Sequence, residues 1–88
     1  MKVQFRNSFE KDLRKLRNAE LLAKITTVVR EVETAEALED VGNLKKLSAK
    51  GAYYRIRVGD YRIGIVSNGS VVTFTRVLHR RKIYRNFP

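Results

Sequence analysis

The chain has no cysteine and no tryptophan, a single histidine, and a single proline at its last position. Without cysteine there is neither a disulfide staple nor a thiolate metal site. One histidine excludes the paired imidazoles of common zinc motifs. No apolar run approaches the roughly 20 residues that span a bilayer, and the N-terminus lacks a signal peptide's apolar core. A cytoplasmic protein with no membrane partner is the expectation. Acid is also missing from one half. Residues 45–88 hold eleven Lys/Arg and one acid, Asp60, while residues 1–44 hold eight of each sign. The net charge of +10 therefore lies in the C-terminal half. That bias points to nucleic acid, an anionic lipid or an acidic protein. Residues 1–88 suffice for a single domain with a modest core.

The basic half contains Tyr53-Tyr54-Arg55-Ile56-Arg57-Val58-Gly59-Asp60-Tyr61-Arg62-Ile63-Gly64-Ile65-Val66. This reads as two strands joined by a Gly-Asp turn. Side chains alternate across a strand, and a two-residue loop fixes which residues oppose each other. Val58 then pairs with Tyr61, Arg57 with Arg62, Ile56 with Ile63, Arg55 with Gly64 and Tyr54 with Ile65. One face is aromatic and aliphatic. The other gathers Arg55, Arg57 and Arg62 around a glycine. Like charges opposed on a sheet are destabilising, so their convergence points to an anionic ligand. The plainer reading is a solvated basic face.

The remaining elements follow from periodicity. Met1 to Arg6 reads as a strand with Val3 and Phe5 on one face. Asn7-Ser8-Phe9-Glu10 resembles a capping box opening a helix to about Arg17, which Asn18 closes. Leu21/Leu22, Ile25, Val28/Val29 and Val32 form the stripe of a second helix, Ala19 to Thr34. Ala35 to Val41 reads as a short helical turn, Leu44 to Leu47 as a strand, and Ser48 to Ala52 as a loop. Asn68-Gly69 is a hairpin signal, with Ser70 to Val77 as the return strand. Its pairing sets Val72 near Ile65 and Phe74 near Ile63. Alternation then places Thr73, Thr75, Val77 and His79 on the arginine face. Arg76 falls on the core side near a strand end, where it would snorkel or pair with a helix acid. Arg80 to Arg85 reads as a basic segment with one helical turn. The fold class is α+β: an N-terminal strand and a helical hairpin packed on one face of a small antiparallel sheet. The arginine face is left open.

The basic set comprises Arg55, Arg57, Arg62, His79, Arg80, Arg81, Lys82 and Arg85, with Tyr84 among them. Guanidinium groups bind phosphate in a bidentate fork and suit a phosphorane bearing extra negative charge. They stay protonated and make poor bases. His79 is the one side chain here that titrates near neutral pH without assistance. Tyr84 can stack on a base or hold a phosphate. Such a set suits RNA cleavage by its own 2′-hydroxyl, and no metal or cofactor is expected. The plainer alternatives are a surface His79, and Tyr84 and Phe87 anchoring the C-terminal segment. Tyr53 reads as a stacking residue or rim. Gly64 either relieves crowding or lets a phosphate approach the backbone.

The opening strand, Asn7-Ser8-Phe9-Glu10-Lys11-Asp12-Leu13, Leu44-Lys45-Lys46-Leu47, the Tyr-Arg-x-Arg-x-Gly-x-Tyr-Arg block at 54–62 and His79-Arg80-Arg81-Lys82-Ile83-Tyr84 resemble the RelE/ParE superfamily of type II toxins. The downstream His-Arg-x-x-Ile-Tyr is closest to the RelE-like branch. The resemblance implies the RelE-like microbial ribonuclease fold. It implies an mRNA endoribonuclease (mRNA interferase) that enters the ribosome, cuts the A-site codon and inhibits translation. It also implies neutralisation by a cognate RelB-like acidic antitoxin, with operator DNA bound only through the antitoxin complex. Arg62 matches the arginine that holds the scissile phosphate, and Arg55 and Arg57 match two basic positions on the preceding strand. His79 and Arg80 fall where a second basic or acid–base group stands, and Tyr84 matches a tyrosine near the reacting nucleotide. His79 is favoured as base or acid, with Arg62 and Arg80 stabilising the transition state. Lys45, Lys46, Tyr53, Arg81, Lys82 and Arg85 are expected to contact substrate. Some members carry lysines at the positions of Arg55 and Arg57, and others use a glutamate base. Two other functions fit the same fold: a ParE-like inhibitor of DNA gyrase, and a non-catalytic RNA-binding domain. The antitoxin is expected to bring acids or bulk to the arginine face, or to displace the segment bearing Tyr84.

Overall fold

A computed structural model describes residues 1–47 and 51–87. Its elements run β1 (Lys2–Phe5), α1 (Asn7–Lys15), α2 (Ala19–Thr34), a 3-10 turn (Leu38–Asp40), β2 (Leu44–Lys46), β3 (Tyr53–Val58), β4 (Tyr61–Asn68), β5 (Val71–His79) and α3 (Ile83–Asn86). The α+β class and the N-terminal strand with its helical hairpin stand as expected. The sheet is five-stranded in the order β1-β5-β4-β3-β2. It is not purely antiparallel, because β1 runs parallel to β5 along one edge. Of the expected 48–52 loop, residues 48–50 lie outside those described. Among the described residues no helix is long and apolar enough to cross a membrane.

The helix α2 has the expected bounds because its caps are encoded locally. Asn18 accepts the Leu21 N–H at 3.1 Å, and this N-cap bond satisfies one of the helix's orphan donors. Asn18 therefore opens α2 and does not close α1, which ends at Lys15. At the other end, the Met1 amino group donates to the carbonyls of Glu33 at 2.6 Å and Ala35 at 3.2 Å. A cation there complements a last turn with no basic side chain. The expected capping box of α1 is absent. Arg6 is the N-cap, and Ser8 Oγ donates instead to the Thr75 carbonyl at 2.6 Å.

The core lies between the helices and one sheet face. Phe9, Ile25, Val32, Leu38, Val41, Ile56, Val58, Ile63, Ile65, Val72, Phe74 and Val77 form one buried cluster. Phe5 is half exposed but reaches this cluster through Phe9 and Phe74, at ring separations of 5.7 and 5.4 Å.

The first hairpin keeps the expected register throughout: Val58 opposes Tyr61, Arg57 Arg62, Ile56 Ile63, Arg55 Gly64 and Tyr54 Ile65. Gly59, first in the turn, has φ 59°, a conformation glycine adopts without steric cost. The second hairpin differs. Asn68 opposes Val71, so the turn residues are Gly69 and Ser70. Gly69 takes the same leading position, at φ 64°. Phe74 consequently opposes Ile65, and Val72 opposes Ser67.

A second change follows within β5. Ile65 opposes Phe74 but Gly64 opposes Arg76, so Thr75 is an extra, bulged residue. A bulge reverses the alternation beyond it. Val77 therefore opposes Ile63 and His79 opposes Tyr61. Val77 is buried in the core, and neither residue lies on the arginine face. Unbroken alternation would have put Arg76 beneath the helices and Val77 outside.

Asp12 of α1 secures this irregularity. It is buried and accepts three hydrogen bonds, from Arg76 Nε at 2.8 Å, Arg76 Nη2 at 3.1 Å and the Val77 N–H at 3.0 Å. The bond raises the Arg76 guanidinium above its ordinary value, with burial opposing. Arg76 thus pairs with a helix acid, as expected.

The second sheet face is not wholly open. Ile83 and Phe87 are buried without joining the main core. The Phe87 ring lies over Gly64, where a Cβ would stand 2.6 Å from it. Gly64 thus relieves crowding, and a side chain rather than a phosphate occupies the space.

Two stability predictions follow from these contacts. Asp12→Ala strands the Val77 N–H and a partly buried guanidinium, and should cost about 2–3 kcal/mol in denaturant unfolding. Asp12→Asn, which keeps one acceptor, should cost less. Gly64→Ala should displace Phe87 and cost about 1–3 kcal/mol, read in the same assay with loss of near-ultraviolet tyrosine dichroism.

Candidate active site

The β3–β4 hairpin sets Arg55, Arg57 and Arg62 on the face away from α1 and α2. Arg57 stands opposite Arg62, and Arg55 opposite Gly64. Opposed guanidiniums repel, so something must hold them. Arg62 Nη1 donates to the carbonyls of Gly59 and Tyr61, each at 2.9 Å. Both bonds use one nitrogen of the fork, leaving the others for an oxyanion. Burial, followed by the charges of Arg55, Arg57 and Arg80, pushes Arg62 below the ordinary guanidinium value, and Tyr84 opposes this.

Arg80 reaches this group from the end of β5. Its N–H donates to the Asp60 carbonyl at 2.8 Å, which extends the β4–β5 ladder one residue beyond His79. Tyr84 arrives on α3. Arg55 Nη1 donates to Tyr84 Oη, and the guanidinium carbon lies 4.9 Å from the ring centroid. The hydrogen bond from Arg55 holds the Tyr84 phenol below its ordinary value. The charges of Arg55, Lys45 and Arg62 act in the same direction, with desolvation opposing. Tyr84 is 69% exposed and so remains open to a ligand.

A groove of about 310 Å³ runs beside this cluster, lined by Asn43, Leu44, Lys45, Arg55, Arg57 and Arg62. No carboxylate lines it. A cationic groove edged by an exposed phenol can grip a phosphodiester and exchange a proton with it. The described residues therefore supply both charge stabilisation and a phenol able to give up a proton.

The family model for the ParE toxin of type II toxin–antitoxin systems, parDE, matches residues 3–84. Toxin RelE3 of Methanocaldococcus jannaschii is 43% identical over 89 residues, covering all of both chains. The chain belongs to the RelE/ParE superfamily of type II toxins. Among solved structures, the RelB-RelE antitoxin–toxin complex from Methanococcus jannaschii matches with TM-score 0.81 and 39% identity, covering 97% of this chain and 99% of that one. The archaeal RelE-RelB complex from Pyrococcus horikoshii OT3 matches with TM-score 0.74 and 22% identity, covering 90% and 93%. At that identity it speaks for the fold.

Of the residues singled out in this toxin's sequence, Arg55, Arg57, Arg62, Arg80 and Tyr84 come together, with Lys45 beside them. Tyr53 shares their side of β3, but its ring meets Phe87 edge-on at 5.8 Å. The ring is half-buried there. His79 is elsewhere. It opposes Tyr61, with ring centroids 5.6 Å apart, and lines a cavity on the helix side with Lys82. The bulge at Thr75 removes it from the arginine face. Lys46 opposes Tyr54 and so lies on the helix side of β2. Arg81 and Arg85 are exposed.

Two features escaped the sequence reading. Asn43, with φ 61°, lines the groove, and its carbonyl accepts the Arg57 N–H at 3.1 Å. Asparagine tolerates that left-handed conformation, and the preceding Gly42 was the signal for a turn. The covering of Gly64 by Phe87 had a weaker signal, a lone glycine within an apolar strand.

A titration checks the Arg55–Tyr84 contact. In ultraviolet difference titration one of the four tyrosines should ionise below the ordinary phenol range near 10. Tyr84→Phe should delete that step, and Arg55→Gln should move it upward.

Proposed function

We propose that this toxin is a metal-independent endoribonuclease that cleaves translated mRNA in the ribosomal A site. The observation that carries the reading is a groove lined by Arg55, Arg57 and Arg62 and by no carboxylate, with Tyr84 bonded to Arg55 and Arg80 near Arg62. Such a site has no reason to form around a neutral ligand, because its own charges repel.

In the proposed reaction the 2′-oxygen of one nucleotide attacks the adjacent phosphorus, and the bond to the 5′-oxygen of the next nucleotide breaks. The products are a 2′,3′-cyclic phosphate and a free 5′-hydroxyl. The 2′-hydroxyl proton leaves to a base, and the departing oxygen takes one from an acid. Arg62, anchored to the turn carbonyls, and Arg80 hold the phosphate and stabilise the added negative charge. Arg55 and Arg57 neutralise flanking phosphates, with Lys45 at the groove edge. Tyr84 brings a phenol whose proton is loosened by the hydrogen bond from Arg55, which suits proton donation to the leaving oxygen. His79 faces the helices, so the base and acid assignments first drawn from the sequence pass from it to Tyr84 and to groups of the ribosome.

The partner we propose is an acidic RelB-like antitoxin, which supplies the carboxylates that the groove lacks. The relatives solved with RelB partners support that pairing. An acidic segment laid over Arg55, Arg57 and Arg62 would exclude RNA by occupying the same charges. Displacing α3 would carry Tyr84 away and inactivate the site by a second route.

The match to the ParE model favours one alternative, a gyrase poison on the same fold. Induction followed by mapping of 5′ ends on translated mRNA, alongside an assay for gyrase-dependent DNA breaks, separates the two. A non-catalytic RNA-binding domain would give neither signal. The ribonuclease reading predicts new 5′ ends within codons and no DNA breaks. Arg62→Ala and Arg80→Ala should each cut cleavage about 100-fold or more, the scale of losing one transition-state donor, while thermal unfolding stays near wild type. Full cleavage by the double variant would overturn the assignment.

A further inference from the structure

The turn from β5 into α3 carries a bond that the cleavage reading does not use. His79 Nδ1 accepts the Arg81 N–H at 3.2 Å. The His79 carbonyl accepts the Lys82 N–H at 2.8 Å, and the Arg80 N–H between them is held by Asp60. Three successive amides after His79 are therefore tied, one of them by a side chain. Arg80 leaves this turn toward Arg62, and α3 begins directly after it.

The surroundings of the imidazole fit an acceptor role. The Tyr61 ring meets it edge-on from β4. Its cavity is also lined by Asp12 and Lys15 from α1, Arg76 from β5, and Lys82. Asp12 is already engaged by Arg76 and the Val77 N–H. An acceptor Nδ1 requires the neutral ring with its proton on Nε2.

We propose that His79 is a positioning residue: its Nδ1 closes the turn that aims Arg80 at the arginine face and launches α3 with Tyr84. The ring does not touch the reacting atoms. This rests on the proposed site only where cleavage is the readout.

Three variants and the tautomer of the wild-type ring test it on the full chain. Asparagine places Oδ1 where Nδ1 stands, whereas phenylalanine keeps a ring on Tyr61 without an acceptor. His79→Asn should retain the downfield Arg81 amide proton in nitrogen-15 spectra, together with growth arrest on induction. His79→Phe and His79→Ala should lose that shift and weaken mRNA cleavage roughly five- to tenfold, the scale of one neutral hydrogen bond. In the wild type, nitrogen-15 spectra of the imidazole should show Nδ1 as the unprotonated nitrogen, coupled across the hydrogen bond to the Arg81 amide.

Two results overturn the proposal. In one, His79→Asn keeps the Arg81 shift yet is as inactive as His79→Phe, which makes the imidazole itself essential. In the other, Nδ1 of the wild-type ring carries the proton and shows no coupling to the Arg81 amide, a result available even if the Phe variant does not fold. Growth arrest that follows the Arg81 bond with no mRNA cleavage would instead uphold the positioning role and reject the ribonuclease reading.

Discussion

Asp12 decides which face of the sheet the end of β5 serves. Beyond Phe74 the strand loses its β1 neighbour and bulges at Thr75, so backbone groups that a neighbouring strand would satisfy are turned outward. The helix α1 supplies the partners: Ser8 takes the Thr75 carbonyl, and Asp12 takes the Val77 N–H. Without them, the bulge would leave unmet hydrogen bonds beside the core, which is costly. With them, it exchanges two residues. Val77 enters the apolar cluster, and Arg76 moves to its rim against a carboxylate. The same exchange carries His79 to the helix side and delivers Arg80 to the other. The make-up of the proposed site thus depends on a hydrogen bond on the opposite side of the sheet.

The arginine face shows the reverse economy. Its guanidiniums repel, and burial with its like-charged neighbours lowers Arg62. Local consistency, which elsewhere marks a foldable sequence, is broken here. The conflict is contained by hydrogen bonds: the Arg62 guanidinium to the turn carbonyls, the Arg55 guanidinium to the Tyr84 hydroxyl, and the backbone N–H of Arg80 to the Asp60 carbonyl. None of these anchors is a carboxylate side chain. The positive potential is fixed in place and left uncompensated, which is what a polyanion or an acidic partner requires.

The legible parts of the sequence were those set by local rules. Glycine at a two-residue turn fixed the register of β3 on β4, and a 3.6-residue stripe with Asn18 in front of it fixed α2. Where tertiary contacts decide, local rules fail. Alternation carried unbroken through β5 places His79 among the arginines, and the bulge at Thr75 takes it off that face. The spacing did hold a warning: Val72 and Phe74 are two apart, but the next apolar residue able to enter the core is Val77, three further on. That change of phase is how a bulge looks in sequence. Lys46 was grouped with Lys45 by composition, although neighbours on a strand face opposite ways. The capping box failed because Ser8 had a better use at the bulge.

The C-terminal segment joins the two faces of this argument. Phe87 lies on Gly64, the one position on the arginine side of β4 without a side chain, and meets Tyr53 edge-on. This contact anchors α3 across the sheet and sets where Tyr84 meets Arg55. Gly64 is therefore part of the site although it carries no chemistry. A larger residue there would lift the ring, and with it the phenol, from the groove. The one-turn helix α3 is too short to be stable by itself, so its position comes from Phe87 and Ile83 below and from the tied turn of His79 to Lys82 before it. A segment held by so few contacts can bring Tyr84 to the phosphate of the proposed RNA substrate, and a partner able to replace those contacts can take it away.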